Sequence, residues 1–194
     1  MRNKKICKIF LALLLMAPVG VSAEIISVGA QLGWSVPQGK AFEYEGEKSA
    51  KGGVNVDVDV LYHFKLIGGG KFAAGVTYNG SFLFGADIDN VKGGIYTLSL
   101  FGAKGYYKFL PGPISTYAAL SAGVTRFSIP KIAGLVDAES ATSFGFRPEI
   151  GVKLMMFTVS AGYIIPTNYS FGGGKVSAGA LQISLGMRLG FPPF

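Results

Sequence analysis

Charged side chains recur at two-residue intervals in two segments of the chain, and these are the residues best placed to do chemistry. The first segment carries Asp57 and Asp59, and the second carries Arg147, Glu149 and Lys153. Alternate residues of an extended strand share one face, so each segment can present a row of charges. Such rows can neutralise one another, line an ion pathway or, together with a histidine, serve acid–base catalysis.

His63 is the sole histidine and falls on the same face as Asp57, Asp59 and Lys65. A histidine acts as a general base when a nucleophile such as serine lies beside it. The neighbour of His63 on its own face is Lys65, so we expect a space-filling histidine and no catalytic residue. One histidine and one cysteine, Cys7, are too few for a zinc site. We expect neither a metal nor a cofactor.

The first 23 residues predict a cleaved export signal. Arg2, Lys4 and Lys5 form a basic start, residues 6–15 are apolar, and small side chains stand at Val21 and Ala23. We therefore expect residues 1–23 to be removed and the mature chain to begin at residue 24. No later apolar run is long enough for a membrane helix.

Removing the signal changes the meaning of the charge. The whole chain carries +7, and the signal holds four basic and no acidic residues, so residues 24–194 carry only +3. These charges are scattered, which argues against a nucleic-acid partner. Charged residues make up 15% of the chain, well below the roughly 25% of ordinary soluble domains. The length of residues 24–194 predicts a single domain.

Alternation of apolar with small or polar residues predicts eight strands. It is clear in residues 24–36, 52–66, 142–154 and 175–191. It is weaker in residues 72–84, 94–109, 115–128 and 157–166. The apolar positions change parity near Gly102, which predicts a β-bulge. The facing of residues 94–109 and 115–128 stays open.

The connections between these strands alternate in length. They comprise residues 37–51, 67–71, 85–93, 110–114, 129–141, 155–156 and 167–174. Long and short connections alternate when antiparallel strands follow one another around a barrel, with both termini at the short-turn end. The pattern predicts an all-β, up-and-down antiparallel transmembrane barrel of about eight strands.

Period alone does not say which face points outward, because a soluble barrel also alternates. Two observations favour an apolar exterior. The other face is mostly Gly, Ser and Ala, which suits a narrow lumen. Aromatic residues also gather at both strand ends, as in the girdles of membrane barrels. The long-loop girdle is predicted to hold Trp34, Phe82, Phe84, Tyr96, Phe127, Phe144 and Phe146. The short-turn girdle is predicted to hold Tyr62, Phe64, Phe72, Tyr107, Phe109, Phe157 and Phe191.

With the apolar face outside, the charged rows point into the lumen. The predicted lumen residues are Asp57, Asp59, His63, Lys65, Arg147, Glu149, Lys153 and Arg188. The second and sixth strands lie on opposite sides of an eight-stranded barrel, so the aspartates should meet Arg147 and Glu149 at similar depth. Unpaired charges would be costly there, and pairing is expected. The result is either a polar plug or a narrow gated pore.

The residues after the signal resemble the small OmpA-type, porin-family outer-membrane barrels. The resemblance rests on the signal, the strand count and the end Leu-Gly-Met-Arg-Leu-Gly-Phe, which is similar to the signal that the barrel-assembly machinery reads. Either Phe191 or Phe194 can be its terminal aromatic residue. The resemblance implies a bacterial outer-membrane location with periplasmic termini. It also implies membrane lipid and the assembly machinery as partners.

Three functions follow from these expectations. We favour a non-enzymatic barrel, monomeric, with a structural or surface-interaction role. A narrow, low-conductance pore is the alternative. A lipid-modifying enzyme is the third, because outer-membrane lipid A deacylases and acyltransferases share the expected strand number. No motif in the long loops identifies a surface ligand.

Overall fold

The eight predicted strands form one closed antiparallel barrel in the computed structural model. It describes residues 25–44, 47–64, 71–86, 94–110, 114–130, 138–171 and 174–191. The barrel strands are β1 (Ile26–Gln38), β2 (Ala50–His63), β3 (Phe72–Gly85), β4 (Ile95–Lys108), β5 (Ile114–Ile129), β6 (Glu139–Leu154), β7 (Phe157–Phe171) and β8 (Gly174–Phe191). The predicted signal (1–23), Lys65 and Phe194 lie outside the described residues.

Each strand pairs with its neighbour in sequence, and β1 closes the barrel on β8. That closing pair runs from Ile26 opposite Phe191 to Gln38 opposite Gly179. Closure gives every strand two neighbours, as a sheet within lipid requires. The shortest ladder of the barrel joins β6 to β7, which pair only from Glu149 opposite Gly162 to Leu154 opposite Phe157. The predicted up-and-down topology is confirmed.

The apolar face points outward, as predicted. Leu32, Ile150 and Ile183 are 62%, 66% and 62% exposed, while Ser27 and Asn55 on the other face are fully buried. Water would not stabilise such a surface, whereas hydrocarbon does. In the part of the chain that the structure describes, no helix is long and apolar enough to cross a membrane.

The predicted bulge near Gly102 is wrong. Strand β4 pairs with both neighbours without a shift in register. Its even-numbered residues point inward throughout, so Leu98 and Leu100 are fully buried inside the lumen. Apolar residues occupy both faces of β4 at this level, since Leu98 and Leu100 fill the lumen and Phe101 faces outward, and this disturbs the alternation in the sequence. Register shifts occur elsewhere, between Ala50 and Gly52 and between Ala178 and Ala180.

The last predicted loop, residues 167–174, is mostly strand. Pairing continues from Ala178 opposite Thr167 to Gly174 opposite Phe171. The alternation is reversed there, because Asn168 and Ser170 are exposed whereas Tyr169 is buried in the lumen. A pattern with apolar residues outside therefore missed this stretch. The predicted tight connection at Met155 and Met156 is confirmed, and Met155 takes a left-handed φ of 55°.

The two predicted girdles are largely present, with two errors. Trp34, Phe82, Tyr107 and Phe191 are exposed on the outer surface near the strand ends, and Phe144 is exposed further inside β6. Tyr96 and Phe127 instead point into the lumen and are buried. Their strands, β4 and β5, are those whose facing the sequence left open.

Candidate functional site

Six buried charged side chains meet in the middle of the lumen, and we call them the charged cluster. Strand β2 supplies Asp57 and Asp59, β4 supplies Lys104, β6 supplies Arg147 and Glu149, and β8 supplies Arg188. Each is at most 2% exposed. The structure thus brings together five of the predicted lumen residues with one that was not predicted.

Asp59 is held by cations from two other strands. Its two carboxylate oxygens accept hydrogen bonds from the two terminal nitrogens of Arg188, at 2.6 and 2.7 Å. Lys104 Nζ donates a third hydrogen bond at 2.9 Å. A bidentate guanidinium–carboxylate pair fixes both groups in one orientation.

Glu149 and Asp57 share Arg147 on the other side of the cluster. Arg147 Nη1 lies 2.9 Å from an Asp57 oxygen and also donates to Glu149. Lys104 Nζ donates to Glu149 at 3.0 Å, and the Tyr117 hydroxyl donates at 2.8 Å. The predicted meeting of β2 and β6 across the lumen is therefore seen as direct contact.

Lys104 is the central residue that the sequence reasoning missed. It contacts Asp59 and Glu149 and lies 4.0 Å from Asp57. With it, three carboxylates face three cations, so the cluster is formally neutral. One signal was available: a lysine in the middle of a membrane strand must face inward, and this fixes the parity of all of β4. Lys153 is buried elsewhere in the lumen.

Uncharged polar side chains extend the charged cluster toward the long loops. Gln182 accepts a hydrogen bond from Arg147 Nε at 2.7 Å. Its amide nitrogen donates to Asn79 at 2.7 Å and to Ser81 at 2.8 Å. Ser81 in turn hydrogen-bonds Ser35 at 2.9 Å. These contacts link four strands, β1, β3, β6 and β8, and fix the orientation of Arg147.

An apolar cluster fills the lumen above these residues, at the long-loop end. Phe42 enters it from a 3-10 turn, Lys40–Phe42, in the first long connection. Its ring lies 5.7 Å from that of Tyr96 and 5.4 Å from that of Phe127, both edge-on. The turn is held from outside by a hydrogen bond from Lys40 N to Ser177. A connection predicted as an external loop thus closes the mouth.

Tyrosines and a histidine occupy the other end of the lumen. Tyr106 stacks on Tyr117 at 4.7 Å, and Arg188 lies 5.2 Å above the Tyr106 ring. His63 Nε2 is 2.9 Å from the Ser27 hydroxyl. The serine that His63 lacked on its own strand therefore comes from β1. Both groups are buried, at 2% and 0% exposure, so a lipid substrate does not reach them in this conformation.

Small residues on the lumen face make room for the large side chains. A Cβ at Gly162 would lie 2.6 Å from the Arg147 guanidinium, and one at Gly29 would lie 2.8 Å from that of Arg188. A Cβ at Gly151 would lie 2.5 Å from the Tyr117 ring. These distances are too short for non-bonded atoms, so a larger residue at any of the three positions would displace the Arg147, Arg188 or Tyr117 side chain from its contacts.

No protein-family model and no curated protein sequence matches the chain. Several solved structures are similar to it, including the following three. Neisserial surface protein A is 17% identical with a TM-score of 0.60, over 86% of this chain and 97% of that one. Ail, the attachment invasion locus protein of Yersinia pestis, solved with a heparin analogue, is 15% identical with a TM-score of 0.56, over 84% and 99%. OprG of Pseudomonas aeruginosa is 13% identical with a TM-score of 0.55, over 89% and 99%.

The chain has the fold of the small eight-stranded outer-membrane barrels. Identities this low establish the fold alone, so the role must come from the lumen. In this outer-membrane barrel fold, no group of three or more His, Cys, Asp or Glu side chains among the described residues is arranged to hold a metal ion. The charged cluster instead satisfies its own charges and crosses the lumen. Such an arrangement can close and stiffen the barrel.

Proposed function

We propose that this chain is a non-enzymatic, integral outer-membrane protein with a closed lumen and a structural or surface-interaction role. In this proposal residues 1–23 are a cleaved signal, and residues 24–194 form one monomeric barrel domain inserted by the barrel-assembly machinery. Both termini lie in the periplasm, and the long loops face outward. The barrel fold and the apolar exterior support this location.

The charged cluster is the main observation that supports a closed lumen. Its contacts run from Arg188 on β8 through Asp59 and Lys104 to Glu149 and Arg147, and so span the interior. Above it, Phe42 packs among the aromatic rings. An ion crossing the lumen would have to separate desolvated charge pairs and move a buried ring.

A narrow pore is the second candidate, and the polar lining favours it. Asn55, Ser121 and Thr158 each bury a side-chain oxygen that has no hydrogen-bond partner among the described residues. These oxygens could contact water or ions along a pathway that opens when the charged cluster rearranges.

Conductance of the purified, refolded protein in a planar bilayer tests this proposal. We expect no discrete conductance steps at neutral pH. Regular single-channel steps in the wild-type protein would support the pore and contradict the closed lumen. Incubation with lipid A alongside tests the enzymatic alternative. Acyl-chain release that disappears in a His63→Ala variant would overturn the non-enzymatic role.

A further inference from the structure

A groove of about 340 Å³ lies on the outer wall of the barrel, over strands β3, β4 and β5. It exists because Gly80 has no side chain in an outward row that Tyr78 and Phe82 otherwise fill. Ser99 and Arg126 line the groove from the next two strands. Gly80 is paired with Ser99, and Ser99 with Arg126, so these residues lie side by side.

The groove changes character from row to row. Residues paired across neighbouring strands form rows over the groove. The middle row contains Gly80, Ser99, Arg126 and Thr142. The row nearer the long loops includes Thr97, Ser128 and Ser140. The row nearer mid-membrane is apolar. It consists of Tyr78, Phe101, Val124 and Phe144. A cation and hydroxyls therefore lie directly above an apolar wall.

Arg126 is exposed and is the one charged outward-facing residue of β5. Its guanidinium donates a hydrogen bond to Ser140 at 3.1 Å. Among the residues with described positions, no carboxylate lies within 4.0 Å of it. An arginine at the edge of a hydrocarbon surface, with no carboxylate beside it in the described part of the chain, suits an anionic lipid headgroup.

We infer that this groove binds the phosphate-bearing headgroup of a lipid in the leaflet around the long-loop end. The Arg126 guanidinium matches two phosphate oxygens at once, and the hydroxyls of Ser99 and Ser128 are placed to donate to the same group. The acyl chains lie along Phe101 and Val124. Headgroup and chain thus meet surfaces of matching chemistry. The inference rests on the proposed membrane location.

Lipid binding by purified protein in neutral detergent micelles tests the inference, with bound lipid counted by native mass spectrometry. The probes are diphosphoryl lipid A and the same lipid after removal of its phosphates. Wild-type protein should hold one diphosphoryl molecule and bind the dephosphorylated lipid at least about tenfold more weakly. Arg126→Gln should remove most of this difference, because a charge-assisted bidentate contact is lost.

Two further variants and one competitor complete the test. Lys175→Gln removes an exposed cation on β8, away from the groove, and should bind like the wild type. Gly80→Val fills the groove without changing charge and should weaken binding. Its Cβ would lie 2.9 Å from the Tyr78 hydroxyl and 3.3 Å from two carbons of that ring, so the Tyr78 side chain must shift to admit it. Equal binding by Arg126→Gln and wild type, or an equal loss in Lys175→Gln, would overturn the inference. Displacement of the lipid by micromolar inorganic phosphate would also overturn it. The bilayer conductance result does not depend on any of these outcomes.

Discussion

Lys104 joins two carboxylates that no other single cation bridges among the described residues, Asp59 and Glu149. Lys104→Met should therefore lower the free energy of unfolding by roughly 3 to 5 kcal/mol, as expected when one partner of a buried ion pair is removed. Urea unfolding from lipid vesicles, followed by Trp34 fluorescence, measures the loss. Lys175→Met is the control and should change stability little. Adding Glu149→Gln should cost less in the Lys104→Met background than alone, and simple additivity would contradict the coupling.

Arg147 differs from Lys104 because it also anchors the uncharged polar residues through Gln182. Arg147→Ala should lower stability by about 3 kcal/mol or more and raise single-channel conductance together, since the same contacts hold the barrel and close it. Vesicle unfolding and planar-bilayer recordings check the two effects. In an open pore the change would alter ion selectivity with little loss of stability. If neither quantity moved, the charged cluster would not be what closes the lumen.

At the scale of the strand, the loss of folding stability caused by a charge on the outer face depends on its depth in the membrane. Val58 is an exposed residue in the central part of β2, paired with Ala30 and Tyr78. Val58→Arg should destabilise the folded barrel by about 2 to 4 kcal/mol, and Val36→Arg, near the end of β1, by about 0 to 1. Folding yields into lipid vesicles, compared at a series of urea concentrations, give both values. A harmless Val58→Arg would mean that this face does not contact hydrocarbon.

The 3-10 turn is an element whose role depends on one side chain. Phe42→Ala should lower the free energy of unfolding by about 3 to 5 kcal/mol, because the packing of the ring is lost. It should also release the first long connection from the mouth of the barrel. Limited proteolysis should then cut within residues 39–49 faster than in the wild type. Phe144→Ala is the matched control, because its ring is on the lipid side and contributes nothing to the mouth. Unchanged proteolysis of Phe42→Ala would contradict the plug.

For the whole molecule, the first prediction concerns cleavage of the export signal. We expect the protein purified from outer membranes to begin at Glu24, because small residues at positions 21 and 23 follow the apolar run. N-terminal sequencing of that material gives the answer. A mature start upstream of Leu11 would show that this signal is not the one used.

The sequence by itself determined the strand number, the order of the strands and the outward direction of the apolar face. The strand number and the outward face are local properties, because each strand carries a period of two, and the strand order follows from the alternating loop lengths. It also placed Asp57, Asp59, Arg147, Glu149 and Arg188 on lumen-facing positions.

Only the tertiary structure decided what fills the lumen. Lys104, Tyr96 and Phe127 face inward because β4 and β5 keep a single register with their neighbours, whereas an apolar lumen layer hides the alternation in the sequence. The contact between Ser27 and His63 and the entry of Phe42 into the mouth join residues far apart in the chain. Such contacts depend on barrel closure and on the fold of a connection. Neither leaves a periodic pattern along the chain.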